Sequence, residues 1–291
     1  MSYVLTLVAD RSNCRLEDAT LRDVQEALAL APPTILSPGE AAEFSSPSRP
    51  NLGTARGLLR GAPIDAVATP QNNRRKALLV ADMDGTIVAD ETIDELAARA
   101  GLKTEIATIT RAGMNGEIDF AEGLSLRVRM LKGLPATALE ETWQSLSWTA
   151  GARALVATMR AHGATAALVS GGFSYFTSRL AIELGFDAHR ANTLLLENGA
   201  ICGRVAEPIL DRHAKLAALR EFAVARKLPL EATLAVGDGA NDLPMLLAAG
   251  LGVAFHAKPV VAAAARARID FCDLRALLFV QGYSAAEIIE E

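Results

Sequence analysis

The 291-residue chain is poor in cysteine, has no long apolar run and carries no excess of basic residues. Its three cysteines, Cys14, Cys202 and Cys272, are too few for a disulfide framework and too widely spaced for a metal knuckle. A run of about eighteen apolar residues, which a membrane-spanning helix needs, does not occur. The formal net charge of -5 argues against a sequence-independent nucleic-acid binder, because such a protein needs a basic surface to contact phosphates.

Hydrophobic residues make up 51% of the chain and charged residues 22%, which is typical of a globular protein with a sizeable core. The chain begins Met1-Ser-Tyr-Val-Leu-Thr, without the basic stretch that opens a secretory signal. We therefore expect a cytoplasmic protein that binds neither nucleic acid nor a membrane.

The amino-terminal part, residues 1–73, predicts a small α+β segment. A strand is indicated over residues 3–9, an amphipathic helix over 21–30 and a second extended piece near Thr34. Ser, Pro, Asn, Gly and Arg accumulate from Ser45 to Asn73, which indicates a linker or an irregular crossing. These features predict half of a small α+β unit, followed by a connection to the next domain.

Strands and helices alternate along most of the remaining chain. The alternation occupies residues 74–91 and 148–291 and predicts a core domain with a mainly parallel sheet covered by helices on both faces. Residues 92–147 carry helical periodicity almost throughout, which predicts a small all-helical insertion after the first core strand. Within the core, Asn192 to Val205 has the pattern of a hairpin with an Asn-Gly turn.

An apolar strand that ends in two acids is the most informative feature of the sequence. Lys76-Ala-Leu-Leu-Val-Ala81 has the pattern of a buried central strand, and Asp82-Met83-Asp84-Gly85-Thr86 follows at once. Neighbouring buried carboxylates repel each other unless a cation or a shared proton relieves the repulsion. The end of this strand therefore predicts either a divalent metal or a coupled pair of acids.

Further polar groups are expected at the same edge of the sheet, because the carboxyl ends of parallel strands face one crevice. They are Ser170-Gly171-Gly172, Lys215 and Asp238-Gly-Ala-Asn241-Asp242. Carboxylates suit Mg²⁺, whereas lysine and backbone N–H groups suit phosphate, so this set suggests a hard cation beside an anion. No cluster of cysteine or histidine competes for the metal.

Two of these groups also have simpler explanations. Ser170-Gly171-Gly172 is expected just before a helix that begins near Phe173, either as a ligand-binding turn or as a plain turn with a capping serine. Lys215 falls in the first turn of a predicted helix, where a cation opposes the helix dipole. It is either a solvated surface lysine or a lysine that neutralises a phosphoryl group and an aspartate.

The helical insertion holds another charged residue on an apolar face. Asp119 begins a helix, and Arg127 lies only about 20° around that helix from Phe120. Arg127 is either a snorkelling arginine at the edge of the apolar stripe or an arginine aimed inward at a carboxylate. Glu91, at the entrance to the insertion, either caps the helix at Thr92 or pairs with a substrate ammonium.

In this order and spacing the residues resemble phosphoserine phosphatases of the haloacid dehalogenase superfamily. The match runs from about Lys76 to Ala276, through Asp-Met-Asp-Gly-Thr, Glu91-Thr-Ile-Asp-Glu-Leu, Met114-Asn-Gly-Glu-Ile-Asp-Phe120, Arg127, Leu168-Val-Ser-Gly-Gly-Phe173, Lys215 and Val236-Gly-Asp-Gly-Ala-Asn-Asp242. The resemblance implies an α/β fold with a Rossmann-like parallel sheet and a small helical-bundle cap inserted after the first core strand. It also implies a small α+β amino-terminal segment that is ACT-like or truncated.

Carried over residue by residue, the resemblance implies that Asp82 is the nucleophile that takes the phosphoryl group. Asp84 would protonate the leaving oxygen and later activate water. One Mg²⁺ per active site would be held by Asp82, by the backbone carbonyl of Asp84 and by Asp238, with Asp242 supporting these ligands.

The resemblance also assigns the substrate contacts. Lys215 would neutralise charge at the phosphoryl group. Glu91 would receive the substrate ammonium and Arg127 its carboxylate. The phosphoryl oxygens and the closure of the cap would involve Ser170, Gly171, Asn241, Met114 and Phe120.

Two departures from the family pattern stand out. Gly85 occupies a position where many of these phosphatases have Ser, whose side chain the expected chemistry does not require. Residues 3–44 look like a shortened or divergent version of the amino-acid-binding ACT domain that relatives often carry at the amino terminus.

The resemblance implies hydrolysis of O-phospho-L-serine to L-serine and phosphate through an aspartyl-phosphate, the last step of serine biosynthesis, in a possible homodimer. Another small phosphomonoester, such as phosphohomoserine or a sugar phosphate, is the nearest alternative. A phospho-accepting regulatory receiver and a serine-sensing module are alternatives from other classes.

Overall fold

The computed structural model describes residues 2–114 and 117–290, except for the side chains of Met114 and Arg212. Its first part is an antiparallel sheet with two helices. The elements are β1 (Tyr3–Ala9), α1 (Asp18–Ala27), β2 (Thr34–Ser37), β3 (Ala41–Ser46), α2 (Leu52–Leu58) and β4 (Ile64–Pro70). The strands lie in the order β2-β3-β1-β4, which together with the βαββαβ sequence of elements is the ferredoxin-like arrangement.

Alternation along β1 and β4 gives this sheet two buried faces. Leu5 and Leu7 pack in the cluster formed with α1 and α2, whereas Val8 and Val67 belong to the core cluster on the other side. Successive side chains of a strand point to opposite faces, so the polar residues of the second face, such as Asp65, look toward the core. The sheet is thus held between its own helices and the rest of the molecule.

The expectation of a linker over residues 45–73 is wrong. This stretch contains α2 and β4, and all seven residues of β4 pair with β1. The amino-terminal part is therefore a whole βαββαβ unit rather than half of one. The Ser, Pro, Asn and Gly residues of the stretch 45–73 are compatible with these elements, because Asn51 caps the helix α2 and Pro70 ends the edge strand β4.

The strand β5 (Leu78–Ala81) begins the core, and five helices follow it before the next strand, the first four of which form the insertion. These are α3 (Thr92–Arg99), α4 (Lys103–Met114), α5 (Phe120–Met130) and α6 (Thr137–Ser145). The helix α5 begins where the capping pattern predicts, because the Asp119 carboxylate accepts hydrogen bonds from the N–H groups of Ala121 and Glu122. We call residues 92–147 the cap.

The remaining elements alternate as the sequence predicts. They are α7 (Ala152–Ala161), β6 (Thr165–Phe173), α8 (Ser174–Leu184), β7 (Ala188–Asn192), β8 (Leu194–Glu197), β9 (Ala200–Val205), α9 (Arg212–Ala225), the 3-10 helix η1 (Leu230–Ala232), β10 (Thr233–Gly237), α10 (Leu243–Ala248), β11 (Leu251–Phe255), α11 (Pro259–Ala264), β12 (Ala267–Ile269), α12 (Ala276–Val280) and the 3-10 helix η2 (Ala285–Glu287). The core sheet has the order β12-β11-β10-β5-β6-β7, with every pair parallel. This confirms the expected α/β fold.

Two details of the core bear on the sequence-based predictions. The hairpin β8-β9 turns at Asn198 and Gly199, both at positive φ, as the Asn-Gly pair predicts. In contrast, Ser170-Gly171-Gly172 is not a turn before a helix, because β6 continues through it to Phe173 and α8 begins at Ser174. The register of β6 against β7 shifts across this segment, as it does at a β-bulge. No helix among the described residues is long and apolar enough to span a bilayer.

Candidate active site

The site is built on the carboxyl end of β5, one of the two central strands of the core sheet. The backbone N–H of Asp82 donates to the Val236 carbonyl at 3.0 Å, so the neighbouring strand β10 holds the first acid in place. Only 5% of Asp82 is exposed, and its Oδ1 accepts the N–H of Met83 at 2.8 Å. The first acid of the motif is therefore an immobilised, nearly dehydrated carboxylate.

Lys215 lies between two of the acids. Its Nζ is 2.7 Å from Asp82 Oδ1 and 2.6 Å from Asp242 Oδ1, and only 1% of the residue is exposed. Burial alone would lower the pKa of Lys215, but contact with Asp242 and Asp82 raises it above its ordinary value. The interpretation of Lys215 as a solvated surface lysine is thus wrong, and the ammonium stays charged.

Three carboxylates gather around one point. Ligand oxygens of Asp82, Asp238 and Asp242 lie within 4.8 Å of one another, and all three residues are buried. Burial, with the charge of Asp242 beside it, raises the pKa of Asp238 from 3.8 to about 7. Burial likewise raises the pKa of Asp82. One ammonium group leaves this cluster short of positive charge, and three buried oxygen donors suit a hard divalent cation.

Gly85 leaves the space that Asp238 occupies. Its φ is +64°, and a Cβ added there would lie 2.9 Å from the Asp238 carboxylate carbon. A side chain at residue 85 would therefore be strained by its backbone and would press on a member of the acid cluster. Glycine at residue 85 therefore suits both the local backbone conformation and the close approach of Asp238.

The second acid of the motif joins the core to the cap. Asp84 Oδ1 accepts the N–H of Thr92 at 2.8 Å, and its Oδ2 accepts the Ser170 hydroxyl at 3.3 Å. Burial raises the pKa of Asp84, whereas the hydrogen bond from Thr92 acts in the opposite direction. A raised pKa favours the protonated form of a carboxyl group, which is the form that a proton donor needs.

The Ser170-Gly171-Gly172 segment faces the same acids from β6. Its serine hydroxyl accepts the Gly172 N–H at 2.8 Å while donating to Asp84. Asn192 donates from Nδ2 to the Gly171 carbonyl at 2.8 Å, and only 3% of the residue is exposed. Asn192 therefore orients this segment, a role that its position in a predicted hairpin gave no reason to suspect.

In the cap, Arg127 is buried rather than snorkelling. It is 8% exposed, and its Nη1 donates to Thr110 Oγ1 at 3.1 Å. The Thr110 hydroxyl in turn lies 2.7 Å from Asp94 Oδ1 and donates to it. Burial lowers the pKa of Arg127, and the charge of Asp94 partly offsets that effect. No carboxylate within the described residues forms an ion pair with this guanidinium.

Glu91 occupies the N-cap position of α3, but its side chain makes no capping hydrogen bond. Burial and then the charge of Asp84 raise its pKa well above the usual range. The capping interpretation therefore fails for the side chain. A half-buried carboxylate next to other acids is instead placed to attract a cation.

The ring of Phe120 in the cap contacts the core at Gly171. A Cβ added at Gly171 would lie 2.5 Å from Phe120 Cζ, so the ring of Phe120 rests on the bare backbone of the glycine. Met114 ends α4, and its side chain lies outside the described part of the chain. The absence of a side chain at Gly171 thus leaves room for the ring of Phe120.

One cavity unites the two parts. Among its walls are Asp82, Asp84, Glu91, Phe120, Arg127, Ser170, Gly171, Asp238 and Asn241. Lys215 and Asp242 lie behind Asp82 rather than on the wall. Thr110, which also lines the cavity, and its partner Asp94 were not suspected from sequence, since an acid in the first turn of a helix is explained by the dipole alone.

A model of the haloacid dehalogenase-like hydrolase family matches residues 79–247, which include most of β5, the cap, the helix α9 that carries Lys215 and the strand β10 that precedes Asp238. The chain belongs to this hydrolase family. The resemblance inferred from the motifs is therefore confirmed.

Relatives of this hydrolase include phosphoserine phosphatases. The one from Streptomyces coelicolor is 42% identical over 86% of this chain, and that from Lactococcus lactis is 43% identical over 70%. The match covers 94% of the Lactococcus protein but only 62% of the Streptomyces protein, and 53% of a phosphoserine phosphatase from Mycobacterium tuberculosis. The chain thus spans about half to three fifths of the length of the longer relatives.

Solved structures of a HAD family hydrolase and of a phosphoserine phosphatase are similar to this hydrolase. A HAD family hydrolase from Salmonella enterica serovar Typhi superposes with a TM-score of 0.85 at 27% identity, covering 97% of this chain and 98% of that one. A substrate-bound phosphoserine phosphatase superposes with a TM-score of 0.68 at 38% identity, covering 70% of this chain and 98% of that one.

Proposed function

We propose that the protein is a Mg²⁺-dependent phosphatase that hydrolyses O-phospho-L-serine to L-serine and phosphate. The observation that carries this proposal is the single cavity in which Asp82, paired with Lys215, faces the buried guanidinium of Arg127. A phosphomonoester that also bears a carboxylate and an ammonium would find a partner for each group there. Phosphoserine phosphatases among the relatives support this substrate.

Residues of the cap would select the amino acid. Arg127, desolvated and without a carboxylate partner among the described residues, would bind the substrate carboxylate through its planar fork. Glu91, whose pKa is raised by burial and then by the charge of Asp84, would bind the ammonium. Phe120 would exclude water by closing on Gly171. Met114 is assigned to the same closure by the family resemblance alone.

Residues of the core would bind and transfer the phosphoryl group. Asp82 would attack phosphorus and form an aspartyl-phosphate as the bond to the serine oxygen breaks, with Asp84 giving its proton to that oxygen. Asp84 would then take a proton from water, which attacks phosphorus and releases phosphate and free Asp82. Lys215 would neutralise the nucleophile, and Ser170, Gly171 and Asn241 would hold phosphoryl oxygens.

The metal would be held by Asp82, by the backbone carbonyl of Asp84 and by Asp238. Asp242 would support these ligands through Lys215 and through the N–H of Gly239, which its Oδ2 accepts at 3.1 Å. Bound Mg²⁺ would supply the positive charge that lets an anionic carboxylate approach an anionic phosphate.

The test is turnover by Asp82→Asn, which keeps the shape of the side chain and removes the nucleophile. With Mg²⁺ and O-phospho-L-serine, phosphate release should fall at least about 1,000-fold, since a covalent route is lost. Circular dichroism and thermal unfolding of the variant provide the control for folding. Phosphate release at near the parental rate would rule out the covalent scheme.

A panel of phosphorylated metabolites, assayed under the same conditions, tests the substrate. O-phospho-L-serine should give the highest kcat/KM, above both phosphohomoserine and the sugar phosphates. The difference should be larger for the sugar phosphates, because they lack the carboxylate and ammonium that Arg127 and Glu91 would bind. A higher value for a sugar phosphate would leave the phosphatase chemistry standing and replace the substrate.

A further inference from the structure

The side chain of Asn192, at the end of β7, connects two segments of the candidate active site that lie far apart in sequence. Its Nδ2 donates to the Gly171 carbonyl at 2.8 Å. On the other side, its Oδ1 accepts the N–H of Leu210 at 2.7 Å, and Nδ2 also donates to the Leu210 carbonyl at 3.4 Å. One amide group thus binds both the backbone of β6 and the backbone just before α9.

The bond to Gly171 holds one wall of the cavity in place. Next to this glycine, the Ser170 hydroxyl donates to Asp84 Oδ2 at 3.3 Å. The bare backbone of Gly171 also lies against the ring of Phe120. A shift of the Gly171 carbonyl would therefore move groups that face the acids.

The bonds to Leu210 hold the start of α9. The next residue, Asp211, caps this helix, because its carboxylate accepts two backbone N–H groups of the first turn, both at 2.9 Å. Lys215 lies near the start of the same helix, and its Nζ is 2.7 Å from Asp82 Oδ1. The position at which α9 begins therefore determines where the ammonium group lies.

The amide of Asn192 is buried and fully used. Only 3% of the residue is exposed, its oxygen accepts one hydrogen bond and its nitrogen donates two. Burying an amide costs free energy that its hydrogen bonds must offset, so an apolar side chain would serve better if the residue only filled space. A carboxylate in its place could accept the Leu210 N–H but could not donate to the Gly171 carbonyl.

We propose that Asn192 is a positioning residue for phosphoryl transfer, whose amide fixes the distance between the Ser170-Gly171 segment and the end of α9 that carries Lys215. The inference rests on the proposed function, in which the phosphoryl group is bound between these two segments. Asn192 is not among the residues that line the cavity, so it acts through the two segments and not on the substrate. Binding of the amino-acid part, which is assigned to Arg127 and Glu91, does not depend on this connection.

Asn192→Asp tests the connection, because the new side chain keeps the acceptor for Leu210 and loses the donor to Gly171. With Mg²⁺ and O-phospho-L-serine, kcat should fall about 10- to 100-fold, since reacting groups are misplaced. As product inhibitors, inorganic phosphate should bind at least about fivefold more weakly, whereas the inhibition constant of L-serine should change by less than about twofold. Asn192→Ala removes the amide without adding a buried charge and should give the same split between the two products.

Gln281→Glu is the matched control, since Gln281 is another buried amide that joins two backbone segments. It is 1% exposed, its Oε1 accepts the Lys76 N–H at 2.9 Å, and its Nε2 donates to the Leu277 carbonyl at 3.0 Å. It does not line the cavity. Gln281→Glu should lower the melting temperature as Asn192→Asp does, but its kcat and both inhibition constants should stay within about twofold of the parent.

Parental kcat in both Asn192 variants, equal weakening of phosphate and L-serine, or an equal loss of kcat in Gln281→Glu overturns the proposal. Failure of the proposed function shows in the parent enzyme instead. A parent that prefers another phosphomonoester replaces the substrate only, and the same comparison is then made with that ester and its alcohol. A parent that hydrolyses no phosphomonoester overturns both proposals.

Discussion

At the scale of single residues, Arg127 is held by a chain of hydrogen bonds rather than by an ion pair. The chain runs from its Nη1 to the Thr110 hydroxyl and on to Asp94. Because the Thr110 hydroxyl lies between them, the Asp94 carboxylate helps to position the Arg127 guanidinium without forming an ion pair with it. The charge therefore remains available for a substrate carboxylate.

Arg127→Ala should raise the KM for O-phospho-L-serine by about 30-fold or more, because a desolvated charge pair is lost, worth about 2–5 kcal/mol. The loss for a phosphomonoester without a carboxylate should be much smaller. Thr110→Val should raise KM less, since the arginine survives but loses its support. Steady-state kinetics on both substrates check this, and equal losses on the two substrates would contradict a role in carboxylate binding.

Asp238 makes the stability of the metal-free protein depend on pH. Its pKa is about 7 in the folded state, against an ordinary value of 3.8. Between these values the folded protein binds more protons than the unfolded chain, so the free energy of unfolding should decrease as the pH rises from about 4 to 7. The contribution is at most about 4 kcal/mol.

Urea unfolding in chelator at pH 5 and pH 7.5 measures this dependence. Asp238→Asn should lose less stability over the interval than the parent, although the other acids with raised pKa values still contribute. Adding Mg²⁺ at pH 7.5 should stabilise the parent and have little effect on the variant. A parent that becomes more stable from pH 5 to 7.5 in chelator would contradict the assignment.

At the scale of elements, the contact between the cap and β6 depends on the missing side chain of Gly171. Gly171→Ala would place a methyl group 2.5 Å from Phe120 Cζ and push the cap outward. We expect kcat/KM to fall about 10- to 100-fold, because misplacing the cap residues by about 1 Å costs that much.

Gly57→Ala is the control, since a Cβ there meets nothing within 4 Å. Replacing the ring in Gly171→Ala/Phe120→Leu should recover part of the lost kcat/KM, although Phe120→Leu alone should lower it. A Gly171→Ala variant with parental kcat/KM would show that closure does not require this contact.

The elements differ in how far their sequences predict them. The strand β5 is predictable because its apolar run has no alternation and ends in acids, a combination with few structural explanations. The strand β4 is not, because its pairing with β1 depends on residues about 60 positions away and its ends are rich in turn-forming residues. The extension of β6 through Ser170-Gly171-Gly172 also depends on tertiary contacts, since glycines locally favour a turn.

The residues of the candidate site also differ in how far the sequence predicts them. Motif residues such as Asp82 and Lys215 are predictable as a group, because parallel strands bring their carboxyl ends together. Residues that only position others, such as Thr110 and Asn192, carry no pattern in the sequence. Their roles follow from which side chains the fold places within hydrogen-bonding distance.

At the scale of the whole molecule, the amino-terminal unit is fastened to the core by a buried carboxylate. Asp65 is 3% exposed and accepts the backbone N–H groups of Asp270, Phe271 and Cys272 at 2.8, 3.1 and 2.9 Å. Arg74 adds hydrogen bonds from the connection to the carbonyls of Phe279 and Val280. The two sheets are thus joined by charge-assisted bonds to the backbone beyond β12.

Asp65→Ala should therefore lower the free energy of unfolding by about 2 to 4 kcal/mol, because one buried and two partly buried N–H groups lose a charged acceptor. Scanning calorimetry and urea unfolding measure the loss, and separation of one transition into two would indicate that the amino-terminal unit has been uncoupled from the core. Asp23→Ala, at an exposed position of α1, should change stability by less than about 0.5 kcal/mol. If both variants unfold like the parent, the joint between the sheets rests on apolar packing instead, with Val8 and Val67 as the next residues to replace.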